Sequence, residues 1–165
     1  MSRRTQPPSQ EQVLAAVTRY LRGGTRSIAE CRARLRSRQI PEPLINTIVN
    51  LCIARGWLDD TACTKLWVTK LAEQGFAISA IRDRLIAKGL SEQVIEPAVS
   101  ALQRAEDDDQ RARLLVQRLL VTLRGDRRDV RLRRRLERRL AQRGFDQDVM
   151  SRALADFSED VSITS

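Results

Sequence analysis

Leu85-Ile-Ala-Lys-Gly89-Leu90-Ser-Glu-Gln-Val94-Ile95 holds the end of one helix and the start of the next. Leu85 closes an apolar stripe, Lys88-Gly89-Leu90 turns the chain, and Ser91 caps the second helix. The same phrase stands 50 positions earlier as Leu35-Arg-Ser-Arg-Gln-Ile40-Pro-Glu-Pro-Leu44-Ile45. It returns 55 positions later as Leu140-Ala-Gln-Arg-Gly144-Phe145-Asp-Gln-Asp-Val149-Met150. A period near 50 with helical spacing inside each copy predicts an all-α fold, an elongated array of three tandem three-helix modules. Arrays of this kind present a long surface to another macromolecule more often than they enclose a catalytic pocket.

Working outward, the helix before each turn repeats as well. Ile28, Cys31 and Leu35, then Ile78, Ile81 and Leu85, stand at i, i+3 and i+7. Ser27-Ile-Ala-Glu30 forms a capping box ahead of the first of these stripes. Val13, Leu14, Val17, Tyr20 and Leu21 predict the opening helix, closed at Gly23-Gly24. Pro41 starts a third helix, whose buried face is Ile45, Ile48, Val49 and Cys52.

In the second module Asp59-Asp60 offers the cap, and Leu66, Trp67 and Leu71 are expected to face inward. Val94, Ile95, Ala98, Val99 and Leu102 follow Ser91, and Pro97 inside that run is expected to remove a bond and bend the helix. Leu115, Leu119, Leu120 and Leu123 open the third module, which breaks at Gly125-Asp126. A narrow stripe of Leu132, Leu136 and Leu140 comes next, and Phe145, Val149, Met150, Ala153, Leu154 and Phe157 complete the module. The expected division is a disordered lead-in over residues 1–11, modules over 12–57, 58–105 and 106–157, and a flexible tail over 158–165.

Composition narrows the class. Of the 165 residues 42% are apolar but only 4% aromatic, so the core is built from Leu, Ile, Val and Ala. Trp57 and Trp67 are expected as core anchors. No apolar run approaches the roughly 20 residues of a membrane span, and the Arg-rich start lacks an apolar region behind it. Cys31, Cys52 and Cys63 are odd in number, have no C-x-x-C spacing and meet no histidine anywhere in the chain. They read as small core residues of a cytoplasmic protein rather than as a metal site. A monomer is expected, as for any capped array.

The net charge of +9 is unevenly placed. Between Arg111 and Arg143 stand thirteen arginines against three acids, a local balance of +10, so the rest of the chain is close to neutral. Arg127, Arg128, Arg131, Arg134, Arg135, Arg138, Arg139 and Arg143 surround the Leu132/Leu136/Leu140 stripe. Asp129 and Glu137 cannot neutralise so many cations, and like charges one turn apart cost helix stability. This face is therefore a candidate binding surface for nucleic-acid phosphate or an acidic protein surface. Interleaved aromatic residues, which base stacking needs, are missing, so phosphate tracking or docking fits better than sequence reading. Glu106-Asp107-Asp108-Asp109 reads as helix N-terminal charge; consecutive acids point in different directions around a helix and make a poor metal cluster.

Enzymatic chemistry finds little support. Without histidine the commonest general base is absent, and so are the Ser-His and Cys-His nucleophile systems. No G-x-x-x-x-G-K-[ST] or G-x-G-x-x-G run is present to cradle phosphates, so no nucleotide cofactor is expected. Cys63, the best nucleophile candidate, reads as core. A helix-turn-helix repressor could be mimicked by helices two and three of a module, yet threefold repetition has no role there.

Three signatures carry a resemblance. Arg26-Ser27-Ile-Ala-Glu30-Cys31-Arg-Ala-Arg-Leu35 follows R-S-x-x-E-L-x-x-x-L, with cysteine in place of leucine. Gly56-Trp57-Leu58-Asp59-Asp60 follows G-x-[LI]-[DN]-D, and Gly75, Ile81, Leu85, Lys88, Gly89 and Leu90 meet G-x-x-x-x-x-I-x-x-x-L-x-x-K-G-[IL]. From Val13 to Phe157 the chain resembles the RecX family of recombinase regulators. Departures are Cys63, where an aromatic residue is expected, and a third module that matches by periodicity more than by signature. The resemblance implies a partner, the RecA recombinase filament on single-stranded DNA. It implies inhibition of ATP hydrolysis and strand exchange, with single-stranded DNA met directly or within the filament. The competing expectation is a stand-alone DNA-binding protein acting through the arginine-rich third module.

Overall fold

The computed structural model describes residues 8–123 and 130–159, with side chains as far as 155. Among the described residues there are nine helices and no strand: α1 (Gln10–Arg22), α2 (Ile28–Arg36), α3 (Glu42–Ala54), α4 (Asp60–Glu73), α5 (Ile78–Ala87), α6 (Glu92–Ala105), α7 (Asp108–Thr122), α8 (Val130–Gln142) and α9 (Gln147–Glu159). The three copies of the repeated phrase are the turns α2–α3, α5–α6 and α8–α9. The expected Gly125-Asp126 break, the first seven residues and those from 160 onward lie outside the described residues.

Each copy of the phrase closes by one hydrogen-bond pattern. The N–H groups of Ile40, Leu90 and Phe145 donate to the carbonyls of Leu35, Leu85 and Leu140 at 3.2, 3.3 and 3.3 Å. The residue before each donates to the carbonyl three back: Gln39 to Arg36, Gly89 to Ile86 and Gly144 to Ala141. This is the Schellman closure, which satisfies the last free carbonyls of a helix and needs a left-handed residue in the middle. That residue has φ +58° at Gln39, +73° at Gly89 and +85° at Gly144.

The chain separates into two compact units. One runs to Leu66 and includes Leu85–Ile95; the other comprises Trp67–Arg84 and the chain from Glu96 onward. In the first, Val13, Val17, Cys31, Leu35, Ile45, Ile48, Val49, Cys52 and Leu58 form a closed apolar cluster. All three cysteines are free and buried. Burial pushes the Cys31 and Cys63 thiols up to about 11, which keeps them protonated and unreactive at neutral pH. In the second unit α7, α8 and α9 bury Ala112, Leu115, Val116, Leu132, Leu136, Leu140, Val149 and Leu154.

Adjacent acids divide two tasks. Asp59 caps α4, accepting from the N–H groups of Thr61 and Ala62 at 2.8 and 3.0 Å, while Asp60 reaches α2 and accepts from Ile28 N–H at 2.8 Å. Asp107 likewise caps α7 through Gln110 N–H at 2.9 Å, and Asp108 accepts from Ile78 N–H at 3.0 Å. Further along the acidic run, Glu106 pairs with Arg111 at 2.8 Å and Asp109 with Arg152 at 2.7 Å. The run is thus consumed by caps and ion pairs, as helix N-terminal charge requires.

Several inward assignments change. Leu66 is 53% exposed and Trp57 43%, whereas Val68 and Leu58 are buried. Thr64 explains the first shift: its hydroxyl donates to the Asp60 carbonyl at 2.7 Å, so it sits in the core and the α4 stripe becomes Cys63, Thr64, Val68 and Leu71. Trp67 is half-buried, with the Lys70 ammonium 4.7 Å above its ring. Trp57 lies on the surface because Leu58 occupies the core position after the Gly56 turn; the Arg55 guanidinium stacks 5.0 Å from its ring. At the start of the chain, α1 begins at Gln10, ahead of Val13 and inside the expected lead-in, because Ser9 and Gln12 form a second capping box. Pro41 is the cap of α3 rather than its first residue. α6 runs through Pro97, which lies on its exposed side.

Candidate nucleic-acid interface

The arginine helix is positioned by three leucines. Leu132, Leu136 and Leu140 are 2%, 0% and 0% exposed, and their spacing by four turns one narrow stripe of α8 onto the core with α7 and α9. Every other position of this helix is left to solvent or to its edge. Arg131, Arg134, Arg135, Arg138 and Arg139 are exposed, and Arg143, just beyond the helix end, is half-buried. Arg127 and Arg128 lie outside the described residues.

Counter-charge is sparse on this surface. Glu137 serves Arg133 at 3.2 Å. Among the described residues no carboxylate pairs with Arg134, Arg135, Arg138 or Arg139. Elsewhere the chain pairs some of its arginines, as in Arg82–Glu96 at 2.7 Å, Arg152–Asp109 and the Arg36–Glu42 contact. Arg135, Arg138 and Arg139 also line an open recess of about 240 Å³ together with Leu123 and Gln142. Uncompensated guanidinium groups on one helix face can hold phosphate oxygens by paired N–H donors.

Not every arginine of the basic segment belongs to this surface. Arg111 is 2% exposed; it donates to the Phe76 carbonyl at 2.6 Å and to Glu106 at 2.8 Å, and its role is to hold the end of α4. Arg118 donates to the Glu73 carbonyl at 2.8 Å. Sequence reasoning missed Arg84, whose guanidinium lies 4.0 Å from the Phe76 ring centroid, beside Arg143 at 4.3 Å from the same ring. The repeat register carried the signal: Arg84 occupies the position of Arg34 in the preceding copy and of Arg139 in the next. No group of three or more metal-ligating residues that could hold an ion is found among the described residues, and no helix there is long and apolar enough to cross a membrane.

The regulatory protein RecX of Streptomyces coelicolor is 34% identical to this chain over 155 residues, spanning 91% of this chain and 81% of that protein. The chain belongs to the RecX family. The RecX of Thermobifida fusca is 32% identical over 143 residues, 86% of this chain and 76% of its own. The crystal structure of RecX from Lactobacillus salivarius superposes with a TM-score of 0.67 over 90% of this chain and 96% of that one, at 20% identity, a likeness of fold. No family model matches the chain. RecX relatives carry the name of regulatory proteins, and the all-helical arrangement of this chain is the one their crystal structures share.

Proposed function

We propose that this RecX-family chain binds the RecA recombinase and its nucleoprotein filament on single-stranded DNA, and inhibits ATP hydrolysis and strand exchange. The observation that carries this reading is the match to RecX regulatory proteins along 91% of the chain. The protein acts as a cytoplasmic monomer without a cofactor or chemistry of its own, by occupying surface. Its three modules, over residues 12–57, 58–105 and 106–157, are the repeating contact units. The α8 face supplies cationic contacts, with Arg127, Arg128, Arg131, Arg134, Arg135, Arg138, Arg139 and Arg143 as the interface set. Unpaired charge at Arg134, Arg135, Arg138 and Arg139 supports that role, since stability alone would favour counter-ions there.

The test is the single-stranded-DNA-dependent ATPase rate of the cognate RecA, titrated with this protein. Inhibition at less than one copy per recombinase protomer is expected. A second reading, a stand-alone DNA-binding protein, is favoured by the same uncompensated charge on the third module. An unaffected ATPase rate together with tight binding to bare DNA at physiological salt would overturn the recombinase reading and leave the second.

A further inference from the structure

Two guanidinium groups from two elements stack on one ring. Phe76 is 7% exposed, and the guanidinium carbons of Arg84 (α5) and Arg143 (the α8–α9 turn) stand 4.0 and 4.3 Å from its centroid. Arg118 of α7 and Arg139 of α8 are close enough that their charges, after burial and with that of Arg84, hold the Arg143 guanidinium below its ordinary value. Arg118 is held by carbonyls alone, Glu73 at 2.8 Å and Leu114 at 3.4 Å. Among the described residues none of the four has a carboxylate partner.

A structural role accounts for one arginine on Phe76, since a single stacked cation stabilises a ring contact by about 0.5–2 kcal/mol. It does not account for two of like sign on one ring with two more beside them. Solvent screens the exposed Arg84, Arg118 and Arg139, and the repulsion left at the half-buried Arg143 is relieved by an anion. Stacking also fixes the side chains in advance, so a ligand that arrives has less rotamer freedom to freeze. Guanidinium groups brought together from α5 and the α8–α9 turn suit a tetrahedral oxyanion, which accepts from several directions; a planar carboxylate accepts one fork in its plane. The ring itself is covered, so no base can stack on it.

We infer that Arg84 and Arg143 form a site for a backbone phosphate of a nucleic acid, seated beside Phe76. Arg139 and Arg143, one turn apart, join it to the exposed face of α8. The site goes beyond the arginine helix, because Arg84 lies off it, and it does not depend on recombinase inhibition.

The decisive experiment labels the full chain with ¹⁵N-arginine and follows the Nε–H resonances, assigned through single Arg→Lys variants. The titrants are an oligothymidylate, inorganic pyrophosphate and polyglutamate matched in charge. Oligothymidylate is expected to shift Arg84 and Arg143, and pyrophosphate to shift the same pair at higher concentration. Shifts confined to Arg134 and Arg138 would overturn the site. So would shifts of Arg84 and Arg143 with polyglutamate and not with oligothymidylate, which would give the cluster to an acidic protein surface. In parallel, the Arg84→Gln/Arg143→Gln variant should lower the slope of log affinity against log salt by about 0.7, the value for one single-strand phosphate contact. An unchanged slope with a wild-type helical melting curve would contradict the inference. If that variant fails to fold, the titration of the unmodified chain decides alone.

Discussion

Asp108 Oδ1 accepts the backbone N–H of Ile78 at 3.0 Å, and so closes the start of a helix that lies 30 residues earlier in the chain. Asp60 does the same for Ile28 at 2.8 Å across 32 residues. Each acid follows a neighbour, Asp107 or Asp59, that caps its own helix. Asp60→Ala and Asp108→Ala should each cost about 1 kcal/mol, the usual loss of a helix cap. Urea unfolding would show this as a lower midpoint at constant m-value; an unmoved midpoint in both variants would remove these bonds from the stability account.

The left-handed turns predict opposite signs for similar substitutions. A Cβ on Gly144 would lie 2.6 Å from that of Ala80, and one on Gly89 would strike Ala29. Strain at positive φ and the clash add, so Gly144→Ala and Gly89→Ala should each destabilise by about 3 kcal/mol. Gln39 holds the same conformation, φ +58°, on an exposed turn. Gln39→Gly should stabilise by about 1 kcal/mol, and thermal melting of the three variants checks the reversal.

Glu30 makes the first unit acid-sensitive. Burial alone would raise its carboxyl, but the Lys88 hydrogen bond at 2.8 Å, the Ser27 N–H and the charges of Lys88 and Arg26 outweigh it and hold it below the ordinary value of 4.5. A carboxyl depressed in the folded state contributes stability that is present above 4.5 and lost as pH falls through the folded value. Denaturation curves from neutral pH into the acid range should therefore fall less steeply for Glu30→Gln than for the parent chain. Parallel curves would show that Glu30 titrates alike in both states.

Arginine on α8 and arginine in the core should part company in a binding assay. Neutralising Arg134, Arg135, Arg138 and Arg139 to Gln is expected to weaken DNA binding and to lower the salt slope by about 0.7 for each single-strand phosphate no longer neutralised. Folding should change little, because all four are exposed. Arg111→Met should do the reverse. It orphans the Phe76 carbonyl, costs about 1–3 kcal/mol of stability and leaves the salt slope where it was. Equal slopes in the parent and quadruple variants would take the face out of the DNA interface.

Helix order was legible because each stripe is local: Ile78, Ile81 and Leu85 declare their own face, and Ser27 with Glu30 declares a helix start. What escaped depends on partners distant in sequence. Nothing local shows that Asp60 leaves its own helix to Asp59 and serves Ile28. Leu66 and Trp57 were misplaced for a local reason: polar Thr64 enters the core by bonding the Asp60 carbonyl of its own helix, and Leu58 takes the core position after the Gly56 turn. Arginine count located the basic helix correctly but could not separate Arg111, spent on core carbonyls, from Arg134, left to solvent. Arg84 was hidden because its neighbour Arg143 arrives only when the α8–α9 turn packs against Phe76.

The backward-reaching acids have a consequence for synthesis on the ribosome. α2 leaves the exit tunnel before Asp60 exists to close it, before Lys88 presents its carbonyl to the Ser27 hydroxyl at 2.5 Å, and before Gly89 arrives against Ala29. α5 waits in the same way for Asp108, for Arg143, whose carbonyl takes the Ala77 N–H at 3.0 Å, and for Gly144. Both α2 and α5 are therefore completed late, so the nascent chain carries an unfinished end forward until the following segment emerges to close it.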